Sequence, residues 1–225
     1  MSAKKIIKLH QTSNINDEIT TPEVETHPSY RDESLGLSVG VWNSHNMLDV
    51  ANTNGCDKFI TVIEGSLVVK NGFTENIETI LAGKSIVICH VDNNSYHHQG
   101  NFCAIYVNYE RTDKLQNRAN TLIAIHEYAN EPWRNTSDGH QKKVLYQNNS
   151  QQFTVGVWQS KSLTTGLINF PYHEFIVINR GELICKDELG TEHLFAQGDV
   201  LFIPQGTSCA WQIKDSVSLY FAQIK

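Results

Sequence analysis

The chain has 225 residues, of which 40% are hydrophobic and 19% charged, and carries a formal net charge of -6. That length holds one large domain or two of about a hundred residues, and either can bury a core. The acidic balance excludes the basic stripe a nucleic-acid partner needs, and no apolar run approaches the roughly 20 residues that span a bilayer, so neither nucleic acid nor membrane is expected as a partner.

In chain order, Met1–Leu9 sets two lysines before only Ile6, Ile7 and Leu9, so no secretory leader is expected. The first organised run is Val39-Gly40-Val41-Trp42, followed by Phe59–Ile63, a stretch rich in β-branched and aromatic residues. Turn residues then punctuate the chain at Glu64-Gly65, Asn71-Gly72 and Ala82-Gly83, before the apolar triplet Ile86–Ile88. The second half runs the same way through Val155–Trp158, Phe175–Ile178, Arg180-Gly181, Leu189-Gly190, Gln197-Gly198 and Leu201–Ile203. Several runs are continuously apolar, as strands covered on both faces are, and no segment holds a helical period with caps. The expected fold class is all-β, a barrel or jelly roll that closes its edges. Five cysteines (Cys56, Cys89, Cys103, Cys185, Cys209), odd in number and without a C-x-x-C pair, predict free thiols and a cytoplasmic setting.

The two halves repeat. A shift of 116 carries Val39–Trp42 onto Val155–Trp158, Asp57-Lys58-Phe59 onto His173-Glu174-Phe175, and Gly65 onto Gly181. A shift of 115 carries Gly83 onto Gly198 and Ile86–Ile88 onto Leu201–Ile203, and one of 114 carries Tyr106 onto Tyr220. Weaker echoes link Ile6-Ile7 with Leu122-Ile123, and Pro28–Arg31 with Pro132–Arg134. The expected division is 1–110 and 111–225.

In the second half, six residues separate Glu174 from Gly181, and five separate Gly198 from Pro204 in a Pro-x-Gly ending at Gly206. With Asp199 and Trp211 added, this resembles the cupin superfamily, in particular the subgroup of ethanolamine-utilisation and ureidoglycine-aminohydrolase-like cupins. The resemblance implies two tandem double-stranded β-helix barrels of the RmlC-like kind, with 1–110 a degenerate cupin-like domain and 111–225 the better preserved one. It implies no single activity, because the fold hosts many.

Metal-binding cupins supply a His-x-His, a Glu and a second-motif His, donors suited to manganese, iron, nickel or zinc. Here the His-x-His stretch falls on Leu167–Phe170, the Glu is kept as Glu174, and the last His is replaced by Cys209. His173 adjoins Glu174, but neighbours on a strand face opposite ways. The expectation is therefore no bound metal; a rearranged site, if one forms, uses Glu174, Cys209 and His173. In the first half Lys58 takes the Glu position, Cys89 the Pro position, and His90, His97 and His98 cluster near the second motif; that half is expected to be structural. Lys142-Lys143 reads as solvated charge, Trp42 and Trp158 as barrel wall, and His126, Glu127 and His193 as isolated polar residues.

These residues are compatible with two kinds of function. The first is a binding module holding a small polar metabolite in the C-terminal barrel, lined by Glu174, Cys209, Trp211, Phe170 and Asn169. The alternative is a metal-assisted enzyme acting on a small amine-bearing substrate, or a barrel that serves only as an oligomerisation scaffold, since single cupins pair as dimers and a homodimer is among the expected assemblies.

Overall fold

The computed structural model describes residues 5–9, 25–52, 56–72, 74–89, 94–110, 121–125 and 139–225. Among the described residues sixteen strands succeed one another: β1 (Ile7–Leu9), β2 (Glu25–Asp32), β3 (Leu37–Asn52), β4 (Cys56–Glu64), β5 (Ser66–Lys70), β6 (Ile77–Leu81), β7 (Ser85–Cys89), β8 (Asn94–Glu110), β9 (Thr121–Ala124), β10 (His140–Gln147), β11 (Phe153–Thr164), β12 (Ile168–Asn169), β13 (His173–Asp187), β14 (Glu192–Ala196), β15 (Val200–Ile203) and β16 (Ser208–Ile224). They build two eight-stranded sheets, antiparallel throughout. Among the described residues no helix is long and apolar enough to cross a membrane. All five cysteines are buried and none forms a disulfide.

The chain divides into two compact units, 10–126 and 1–9 together with 127–225. Strand pairing draws this line away from the linear repeat boundary at 110/111. β1 opens the chain yet pairs with β15, Ile7 opposite Phe202, while β9 pairs back onto β7, Ile123 opposite Val87. Each unit therefore completes its sheet with a strand that precedes the other half's repeat. The echo of Ile6-Ile7 in Leu122-Ile123 is this equivalence.

Register fixes the rest of the repeat. Ile60 pairs with Tyr106 as Ile176 pairs with Phe221, so the counterpart of Tyr106 is Phe221, at a shift of 115. The expected match to Tyr220 is corrected: Tyr220 sits one residue out, and a one-residue slip reverses the face. Likewise Pro28 faces Gly40 as Val144 faces Gly156, which makes β10 the counterpart of β2. The sequence echo at Pro132–Arg134 lies outside the described residues.

Two repeat positions require glycine. At Gly65 and Gly181, φ is +77° and +83°, and a Cβ would stand 2.5 Å from Asn101 O and 2.1 Å from Ser216 O. At Gly40 and Gly156 the adjacent strand runs so close that a Cβ would lie 2.3 Å from His27 O and 2.1 Å from Lys143 O. Side chains are excluded at both by backbone, not by a movable neighbour. The turn after each unit's central strand also matches: Gly83 N–H donates to Val62 O, and Gly198 N–H to Ile178 O, both at 2.8 Å.

Alternation along these strands fills each unit with apolar side chains. Ile60, Val62, Leu67, Val69, Ile86, Ile88, Phe102 and Tyr106 meet inside the N-terminal unit. Ile176, Ile178, Leu183, Leu201, Ile203, Leu219 and Phe221 do so in the C-terminal one. Each such side chain contributes about 1.5–3 kcal/mol by leaving water.

Candidate functional site

Because Ile176 and Ile178 point into the C-terminal core, Glu174 on the same strand shares their face. It is 8% exposed. Its Oε1 accepts a hydrogen bond from Gln223 Nε2 at 3.2 Å. Gln223 Oε1 in turn accepts from Lys142 Nζ at 3.0 Å, and that ammonium lies 4.4 Å from the centroid of the Phe221 ring. Oε2 of Glu174 accepts no hydrogen bond from any described residue. Burial pushes the carboxyl up to about 7, against the Gln223 hydrogen bond and the Lys142 charge, which both favour the anion. Tyr172 joins the group: burial and the Glu174 charge raise its hydroxyl, while a hydrogen bond with Gln223 opposes them.

Cys209 is fully buried on the same interior. It accepts a hydrogen bond from the Cys185 thiol, which draws Cys209 below the ordinary thiol value; that donated proton and burial push Cys185 up. The Glu174 charge also acts on Cys209, opposing its ionisation, so the two share one interior. Trp211 packs against Phe170, ring centroids 5.8 Å apart, and edge-on against Trp158 at 5.7 Å. Its Nε1 has no partner within ordinary hydrogen-bond geometry and faces only the weak acceptor sulfur of Cys209.

Of the residues singled out from sequence, Glu174, Cys209, Trp211 and Phe170 therefore line one interior. Asn169 does not: it is exposed, and its Nδ2 donates to Ser208 Oγ at 3.2 Å, tying β12 to β16. His173 lies on the opposite face, stacked on Phe202 at 5.7 Å, its Nδ1 accepting from Gln205 N–H at 3.1 Å. Sequence reasoning missed Gln223, Tyr172 and Lys142. Lys142, read as solvated charge, sends its ammonium to Gln223; pairing of its strand with Trp158 is the only hint, and that register is invisible before folding.

A cupin metal site needs several convergent N, O or S donors. Here Glu174 and Cys209 converge, His173 is turned away, and among the described residues no group of three or more His, Cys, Asp or Glu is placed to hold an ion. These residues do not fit a divalent metal. A separate cleft of about 220 Å³, lined by Arg180, Glu182, Lys214 and Asp215 among others, includes none of the interior residues.

In the N-terminal unit Lys58 takes the place of Glu174, opposite Ile88 as Glu174 is opposite Ile203. Its ammonium lies 5.4 Å from the Tyr96 ring centroid. His98, one of the histidines clustered near the second motif, is 1% exposed, bonded to Ser44 Oγ at 2.6 Å through Nε2 and stacked on Phe102.

Comparison with known proteins places this geometry. Residues 147–220 match the model of the EutQ-like cupin domain. No curated protein matches the sequence. Among solved structures, a protein of unknown function from Pseudomonas syringae pv. tomato is similar over 98% of this chain and 99% of its own, at 18% identity and a TM-score of 0.78. A cupin 2 conserved barrel domain protein from Leptotrichia buccalis is similar over 100% and 98%, at 13% identity and a TM-score of 0.67. A salicylate 1,2-dioxygenase from Pseudaminobacter salicylatoxidans is similar over 84% and 71%, at 10% identity and a TM-score of 0.60. At these identities the likeness is one of fold. The chain has the fold of these proteins, two tandem antiparallel barrels, and its residues 147–220 resemble the EutQ-like cupin domain.

Proposed function

We propose that the C-terminal barrel binds a small polar metabolite that presents an amine or amide N–H to Glu174. One observation carries this reading: a carboxyl buried inside an apolar barrel has one oxygen held by Gln223, while the other accepts no hydrogen bond from any described residue. A carboxylate so placed is costly unless something completes its hydrogen bonds. Its elevated value, about 7, leaves it half ionised near neutral pH, able to accept from a neutral amide or pair with an ammonium group. Trp211 and Phe170 supply an apolar wall, and the Trp211 indole N–H adds a donor for a ligand oxygen. Gln223 and Lys142 position the carboxyl.

Calorimetric titration with methylammonium and with acetamide tests this. Methylammonium affinity should rise as pH passes through about 7 and fall by ~10-fold or more in Glu174→Gln, since a charge-assisted bond contributes about 1.5–3 kcal/mol. Acetamide should bind with little pH dependence. Absence of binding by both probes at millimolar concentration, or affinities unchanged in Glu174→Gln, defeats the reading.

A further inference from the structure

We infer that the N-terminal barrel interior is a second binding site, of opposite polarity, for a small carboxylate held by Lys58, Asn94 and Trp42. This unit lacks the Glu of the better preserved half, yet it is no purely apolar plug. Lys58 stands on the face of β4 that carries Ile60 and Val62 into the core, so its ammonium enters the barrel rather than solvent. Asn94 and Tyr96 share the inward face of β8. Asn94 is fully buried; its Oδ1 accepts from Gly72 N–H at 3.4 Å, which orients the amide, and its Nδ2 has no partner. Trp42, 8% exposed, also leaves its Nε1 without a partner.

These donors are neighbours. The Lys58 ammonium lies 5.4 Å from the Tyr96 centroid, and Tyr96 meets Trp42 edge-on at 5.9 Å. Asn94 precedes Tyr96 by one inward position. The set is one of donors: an ammonium, an amide NH₂ and an indole N–H. Two buried N–H groups left unmet each carry the cost of desolvation, which an oxyanion offsets by accepting from both. Burial also holds the Lys58 amine below its usual range, and an anion beside it restores the charged form. A planar carboxylate, with two acceptor oxygens, suits three donors around one aromatic ring. The C-terminal barrel offers no such set, because its counterpart positions are Glu174 and Cys209.

The test is NMR on full-length protein labelled with ¹⁵N-tryptophan, which gives one indole signal from each of four tryptophans. Trp42→Phe assigns its own signal. Titration with sodium acetate and sodium malonate, against sodium chloride at equal ionic strength, should shift the Trp42 indole saturably and leave Trp211 unmoved. Lys58→Met should weaken that response by ~10-fold or more. Asn94→Leu, which leaves the ammonium in place, should weaken it as well and covers the case in which Lys58→Met fails to fold. A Trp42 signal unmoved by carboxylate, moved equally by chloride, or moved undiminished in a folded Lys58→Met or Asn94→Leu protein overturns the proposal. Because Trp211 reports on the other barrel, failure here is distinct from failure of the amine-binding reading.

Discussion

The two barrels share an aromatic frame and differ in what that frame surrounds. Trp42 meets Tyr96 edge-on at 5.9 Å and 75°, and at the matching positions Trp158 meets Trp211 at 5.7 Å and 75°. Beside the first pair stands Lys58, beside the second Glu174. Asn94 in one barrel takes the place of Cys209 in the other. Duplication has preserved what packs, and left an inward ionisable position free to invert its charge. A barrel wall tolerates change poorly, because volume errors cost stability everywhere around it. An inward polar residue near the end of a strand is constrained only by what it binds.

The largest expected effects test the shared frame. A Cβ at Gly156 would meet Lys143 O at 2.1 Å and Phe221 Cζ at 2.7 Å; at Gly40 it would meet His27 O at 2.3 Å. Gly156→Val should therefore cost about 3 kcal/mol or more, since backbone cannot yield as a side-chain tip can. Gly40→Val should cost a comparable amount in its own unit. Urea unfolding followed separately at the Trp211 and Trp42 indoles checks both. A cost below ~1 kcal/mol at either would show that the repeat is looser than the register implies.

Next in size is the response to pH, where the barrels should move in opposite senses. Glu174 rises from 4.5 to about 7 on folding, so below 4.5 it is neutral in both states and costs nothing. As pH climbs through about 7 the folded state must ionise a buried group, and stability falls by about 3 kcal/mol in all. Glu174→Gln should abolish that fall and leave the C-terminal unit more stable than wild type at pH 8. Lys58 is depressed on folding, so its unit binds fewer protons folded than unfolded and should gain stability as pH rises toward the ordinary lysine value of 10.5. Lys58→Met should remove that gain. Unfolding midpoints across pH, read at each indole, decide between these signs.

A smaller effect tests which unit owns the first strand. Leu9 is 5% exposed and pairs with Val200 of β15, whereas the linear repeat assigns it to the other half. Leu9→Ala should cost about 2 kcal/mol, the lower range for a buried leucine, and the loss should appear at Trp211 rather than Trp42. A loss confined to Trp42 would reverse the assignment.

The sequence made some of this legible and not the rest, for physical reasons. Turn glycines and β-branched runs report local backbone, so the strand pattern and the twofold repeat could be read directly. Glu174 was visible because it and Gly181 lie on one strand, β13, so their spacing is local. Tyr106 was misplaced by one residue because aromatic identity says nothing of register, which hydrogen bonding between distant strands decides. Lys142 and Gln223 join Glu174 from strands 32 and 49 residues away, and only the folded sheet sets them beside it. The exchange of β1 and β9 was hidden for the same reason: Ile6-Ile7 and Leu122-Ile123 look alike, but nothing in either says which sheet receives it.

The smallest effect sharpens that exchange at a single ion pair. Lys8 on β1 bonds Asp199 Oδ1 through Nζ at 2.8 Å, and the same ammonium lies 5.5 Å from the Phe195 centroid. Both side chains are about a third exposed, so water screens the pair. Lys8→Ala should then cost only about 0.2–1 kcal/mol. Asp199 has a second duty: its Oδ2 accepts from Ala196 N–H at 2.8 Å, holding the turn at Gly198. Asp199→Ala should cost more than Lys8→Ala, by about 1 kcal/mol, because it also strips a donor of its acceptor. In the double variant the two losses should fall short of additive by the worth of the ion pair alone. Full additivity would mean that the bridge contributes nothing and that β1 is held to β15 by its backbone ladder and Leu9.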